Sequence, residues 1–190
     1  QHTGRASVTP NSPEAAAAIE AAIRKAAGKP TGELTKADLE KVNDQLYLRN
    51  KKLTDISALA GLTQLKNLIV EENQLTDLRP LKGLTQLENI NLKSQYGQLK
   101  DISPLAGLTQ LTTLTLSYNN LTDISAFKDG FTNLTGLYLH VNKLSDISSL
   151  AGLKQLVDLR LEGNPDLAKA QIDKLQKALP NCKITHDAKK

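Results

Sequence analysis

Five aspartates, Asp55, Asp77, Asp101, Asp123 and Asp146, fall at nearly even intervals along the chain, and stacked at strand spacing they would form a column of carboxylates about 5 Å apart. Such a column could hold cations. An Asp in a tight turn, however, accepts the backbone N–H groups of that turn, which offsets the like-charge repulsion, and this structural role outweighs the ionic one. No metal is therefore expected. The three histidines, His2, His140 and His186, are far apart in sequence, and the positions equivalent to His140 in neighbouring segments carry Ser117 and Glu162, a poor ligand set. No serine sits in a nucleophile-elbow pattern, and no Gly-rich phosphate loop is present. The single cysteine, Cys182, alternates with Ile184, which favours a buried apolar role over a reactive thiol. The chain does not read as an enzyme and calls for no cofactor.

The side chains suited to recognition are few. Of the four tyrosines, Tyr47, Tyr118 and Tyr138 fall on one surface once the repeated segments are put in register, and Tyr96 lies in an insertion at its rim. Ile69, His140, Val141 and Arg160 share that surface. Rigid rings bury large area at small entropic cost, and arginine adds a planar fork of donors, so an open face carrying these types is a binding face. Tyrosine also simply suits strands, but none occurs on the opposite side of the repeats. The candidate partner-binding residues are accordingly Tyr47, Ile69, Tyr118, Tyr138, His140, Val141 and Arg160. Both phenylalanines, Phe127 and Phe131, replace framework leucines and belong to the core.

The elements that position these residues come from internal repetition. The phrase Leu-Thr-Asp-Ile-Ser recurs with small variations from Leu53, Leu75, Leu99, Leu121 and Leu144, with a degenerate copy at Leu167, at intervals of 22, 24, 22, 23 and 23 residues. Before each copy, runs such as Leu114-Thr115-Leu116 and Leu137-Tyr138-Leu139 alternate apolar and other residues as a half-buried strand requires. Ile102, Leu105, Leu108 and Leu111 then follow at intervals of three, which fits a turn and a short 3₁₀ segment. One such coil cannot bury its leucines, so neighbours must stack. Asn73, Asn119, Asn142 and Asn164 sit where the chain turns inward, and a buried amide there satisfies backbone groups that lack strand partners. Lys51 and Gln95 interrupt this ladder, and the insertion predicts local irregularity from Ser94 to Gln98.

The repeated phrase LxLxxNxLTDISPLAGLTQLxx resembles the internalin-like class of bacterial leucine-rich repeats from Leu46 to about Leu167. The resemblance implies a curved right-handed solenoid with a parallel sheet inside the curve, a helical cap at the start, and protein binding outside the cytoplasm. The expected fold is thus an α/β repeat, a leucine-rich-repeat solenoid with a parallel concave sheet, a convex side of 3₁₀ segments and turns, a helical N-terminal cap and a helix-strand C-terminal cap. Its divisions are a disordered leader at 1–12, the helical cap at 13–45, the repeats at 46–167 and the C-terminal cap at 168–190. Residues 13–27 are alanine-rich, and Gly28 and Pro30 stop that helix. Thr35 with Asp38 resembles an N-cap for a short helix over residues 37–42. At the far end Ile172, Leu175 and Leu179 share a helical face.

Composition bounds the partner. Lys+Arg of 24 against Asp+Glu of 20 gives a formal charge of +4, with the signs interspersed, so there is no basic stripe for nucleic acid. No apolar run approaches the roughly 18 residues that span a bilayer. A soluble monomer that binds a protein partner is expected, the competing class being a structural spacer or anchor in a larger surface protein. The chain opens on Gln1 and contains no Met, so an upstream piece such as a cleaved signal is expected to be missing.

Overall fold

The computed structural model describes residues 7–189. Its order begins with two helices, α1 (Pro13–Ala27) and α2 (Lys36–Glu40), followed by β1 (Gln45–Tyr47), β2 (Asn67–Ile69), β3 (Asn89–Asn91), β4 (Thr113–Thr115), β5 (Gly136–Tyr138) and β6 (Asp158–Arg160), and ends on α3 (Lys169–Ala178) and β7 (Lys183–Thr185). The strands form one parallel sheet in chain order, β1 to β7, paired residue by residue from Leu46 through Leu68, Ile90, Leu114, Leu137 and Leu159 to Ile184. Between successive strands from β1 to β6 the chain returns through a 3₁₀ segment, at Ser57–Leu59, Arg79–Leu81, Ser103–Leu105, Ser125–Asp129 and Ser148–Gly152. This is the leucine-rich-repeat solenoid, with the sheet lining the concave face.

Every framework leucine and isoleucine of the coils is buried, and together with the caps they make one continuous core. Each fully buried Leu stabilises the fold by roughly 1.5 to 3 kcal/mol relative to exposure, and neighbouring coils supply that burial to one another. Phe127 and Phe131 are buried in this row with ring centroids 4.6 Å apart.

The aspartate column makes turns. Asp55, Asp77, Asp101, Asp123 and Asp146 each accept the backbone N–H two residues ahead, at 2.8 to 2.9 Å, which fixes the entry to each 3₁₀ segment. Hydrogen bonds from Ser125 and Ser148, side chain and then backbone, hold Asp123 and Asp146 below their usual acidity range.

The polar ladder is more regular than expected. Asn73, Asn119, Asn142 and Asn164 each donate to a carbonyl of the preceding coil, at Leu48, Leu92, Leu116 and Leu139. Gln95 is fully buried and does the same work: its Nε2 donates to Val70 O at 2.9 Å and its Oε1 accepts from Leu75 N at 3.1 Å. The irregularity expected between Ser94 and Gln98 is confined to the two residues after Gln95, Tyr96 and Gly97, both at positive φ. Lys51 stands in the first coil, where no preceding coil offers a carbonyl, so an amide there would have nothing to bridge.

The caps close both ends. Ser12 caps α1 by accepting from Ala15 N, and Ala15, Ile19, Ile23 and Ala27 form its buried face. The second helix covers Lys36–Glu40, shorter than expected, because Thr35 and Asp38 form a reciprocal capping box at its start and its turn closes at Lys41. Asp38 also accepts from Lys29 Nζ at 2.8 Å. Of the leader expected to be disordered, residues 1–6 lie outside the described residues. Asn11, by contrast, is tied to the first coil: its side chain donates to Asp55 O and accepts from the backbone of Thr54 and Asp55. At the other end Ile172, Leu175 and Leu179 are buried beside Cys182, whose thiol burial pushes up.

Candidate recognition surface on the concave face

Strand register places Tyr47, Ile69, Asn91, Thr115, Tyr138 and Arg160 in one row across the sheet. Two residues further along each coil, just past the strands, runs a second row: Arg49, Glu71, Lys93, Ser117, His140 and Glu162. A third, immediately beyond it, contains Asn50, Glu72, Ser94, Tyr118, Val141 and Gly163.

The third row has a backbone requirement of its own. All six residues adopt positive φ, from 51° at Asn50 to 70° at Gly163, because the chain must turn inward there for the next residue to enter the ladder. That region costs a residue with a Cβ roughly 1 to 2 kcal/mol, and a β-branched residue is an outlier in it. Gly163 meets the requirement freely, and a Cβ there would also come within 3.0 Å of Val141 Cγ2. Tyr118 and Val141 meet it at a cost and remain 47% and 39% exposed, so the strain is not offset by full burial.

The candidate residues separate into two groups. Tyr118, Tyr138, His140, Val141 and Arg160 come from the adjacent fourth to sixth coils, and two pairs among them, Tyr118 with His140 and Tyr138 with Arg160, are in contact. The Tyr118 and His140 rings meet edge to face with centroids 5.7 Å apart, and Lys93 Nζ lies 5.1 Å from the Tyr118 centroid. Arg160 stands 5.7 Å from the Tyr138 ring centre, and both contacts are of cation–π type. Tyr138 is half-buried, and its hydroxyl lies over Gly136, where a Cβ would come within 3.2 Å of it. Burial raises the Tyr138 phenol above its ordinary value, and the Asp158 carboxylate adds to this. Tyr47 and Ile69 are partners in register three and two strands before β4, so Tyr47 lies roughly 14 Å from the main cluster at strand spacing. Tyr47 is exposed, Ile69 only partly so.

Lys93, Ser117, Gly136 and Glu162 also belong to this surface, as register in the sequence already implies, although none of them is among the candidate partner-binding residues. Burial lowers the His140 imidazole, with Glu162 opposing the shift and Arg160 and Lys93 adding to it. Ser117 Oγ, His140 Nδ1 and Glu162 Oε2, consecutive in the second row, are buried without a hydrogen-bond partner among the described residues. Arg49 differs from the other cations of the face, since it is paired with Glu72 at 2.7 Å and Glu71 at 3.5 Å.

The family model described as Leucine Rich repeats (2 copies) matches residues 63–107 and 109–152. Among solved structures, internalin C2 of Listeria monocytogenes is similar over 98% of this chain and 92% of its own, with a TM-score of 0.66 and 28% identity. An internalin, inlF, of the same organism gives a TM-score of 0.68 at 24% identity, over 92% of this chain and 57% of its own. A leucine-rich-repeat protein of Leptospira interrogans gives 0.54 at 18% identity, over 79% of this chain and 50% of its own. Those last two show the fold alone. No curated protein matches this chain in sequence. Repeat pattern, sheet, helical cap and structural likeness agree on a leucine-rich-repeat solenoid of internalin-like fold.

Proposed function

We propose that this chain is a non-enzymatic module that grips a protein partner on its concave face, in a bacterial setting outside the cytoplasm. One observation carries the reading. Tyr118 and Val141 are held, exposed, in a backbone conformation that disfavours them, beside a second tyrosine and two cations that lean on the rings. The fold imposes that conformation on every coil, so what needs a reason beyond the fold is the choice of an exposed Tyr and a β-branched Val where Gly or Asn would fit at less cost. The setting outside the cytoplasm follows from the internalin-like resemblance.

The test begins with capture of a partner from the native source and its identification by mass spectrometry, followed by calorimetric titration. Tyr118→Ala and Tyr138→Ala each weaken binding by about 2 kcal/mol or more, as truncation of a central aromatic anchor does. Gln110→Ala, in the turn before β4, leaves affinity within about 0.5 kcal/mol. Equal losses in all three would refute the concave-face assignment.

A further inference from the structure

The charges of the concave face are unevenly committed. At its start, Arg49 is neutralised by Glu71 and Glu72. In the aromatic cluster, Lys93 and Arg160 are instead held over the rings of Tyr118 and Tyr138, and among the described residues neither pairs with a carboxylate. A ring face orients a cation and leaves its outer side free to meet an anion, whereas a carboxylate partner satisfies it. His140 lies between the two and within electrostatic reach of both. Carboxylates stand nearby as well: Glu162, next to it in the row, opposes both cations at His140 and has an Oε2 without a donor among the described residues, Asp158 opposes Arg160 at the Tyr138 phenol, and Glu71, beside Lys93 in the row, is engaged by Arg49 and Asn91. The whole chain carries a formal charge of +4, which adds a long-range attraction for anionic surfaces.

Building on the concave-face reading, we propose that the protein partner presents an acidic segment, and that its Asp or Glu side chains seat between Lys93 and Arg160 over the Tyr118–His140 edge. The rings supply apolar contact, and the two cations fix register and hasten encounter. A basic segment fits poorly, since both ring faces already carry a cation. Glu162 then acts against the partner and restrains its affinity.

The test is a selection from a random peptide library on the immobilised whole chain, keeping binders that are lost on Tyr118→Ala or Tyr138→Ala. Those binders are enriched in Asp and Glu. Lys93→Gln and Arg160→Gln each weaken them roughly two- to fivefold, Glu162→Gln strengthens them by a similar factor, and Lys82→Gln in the convex row changes nothing. Tyrosine-dependent binders that are neutral or basic, or that weaken with Glu162→Gln, would overturn the acidic-partner proposal and leave the concave-face reading standing. Binders that never depend on the tyrosines would overturn both.

Discussion

A single amide side chain bridges backbone groups of two coils that the sheet leaves unpaired. Asn119 donates to Leu92 O and Leu116 O and accepts from Gln95 N, all in the interior. Asn119→Ala therefore lowers unfolding free energy by roughly 1 to 3 kcal/mol, because it strands buried groups. Lys51→Ala, at the end of the ladder, changes it by less than about 0.5 kcal/mol. Equal shifts in urea melts would contradict the ladder. Val141 makes the opposite case. Val141→Gly relieves left-handed strain while adding unfolded-state freedom, so stability stays within about 1 kcal/mol of the parent while partner binding weakens. A larger loss of stability would mean that Val141 is core. At this scale the sequence is legible where a residue type recurs at a fixed interval: the asparagine and aspartate columns could be read from the chain. Gln95 could not, since its fit depends on a side chain one methylene longer than Asn reaching the same carbonyls, and spacing carries no information on reach.

The caps are the elements in which electrostatics matters most. Lys29 Nζ, followed by the backbone and hydroxyl of Thr35, holds the Asp38 carboxyl well below the usual carboxylate range. A carboxyl depressed in the folded state adds stability that is fully present above its unfolded value of about 3.9 and is lost as pH falls toward its folded value. Between about pH 7 and pH 3 the parent protein should lose more stability than Asp38→Asn, which has no carboxyl to protonate. An equal loss in both, by urea melts at the two pH values, would show that the pair does not hold the cap. Element boundaries were only partly legible. The alanine run and Gly28 gave α1 correctly, but the leader's attachment through Asn11 depends on a residue more than forty positions away, which no local pattern reveals.

For the whole molecule, period and framework leucines announced a stack of coils, and the stack then dictated which side chains share a face. Register alone therefore collects Tyr118, Tyr138, His140, Val141 and Arg160. It does not show that Lys93 reaches the Tyr118 ring from the coil before, or that the Tyr138 hydroxyl lies over Gly136, since both depend on side-chain direction. Whether this concave surface holds the protein partner can be read by cross-linking. The most direct measurement replaces Thr115, in the middle of the sheet, or Lys82, on the convex row, with a photoactivatable residue and irradiates each variant with the captured partner. Binding on the concave face gives a covalent adduct from position 115 and none from position 82; adduct from position 82 with none from position 115 would contradict it.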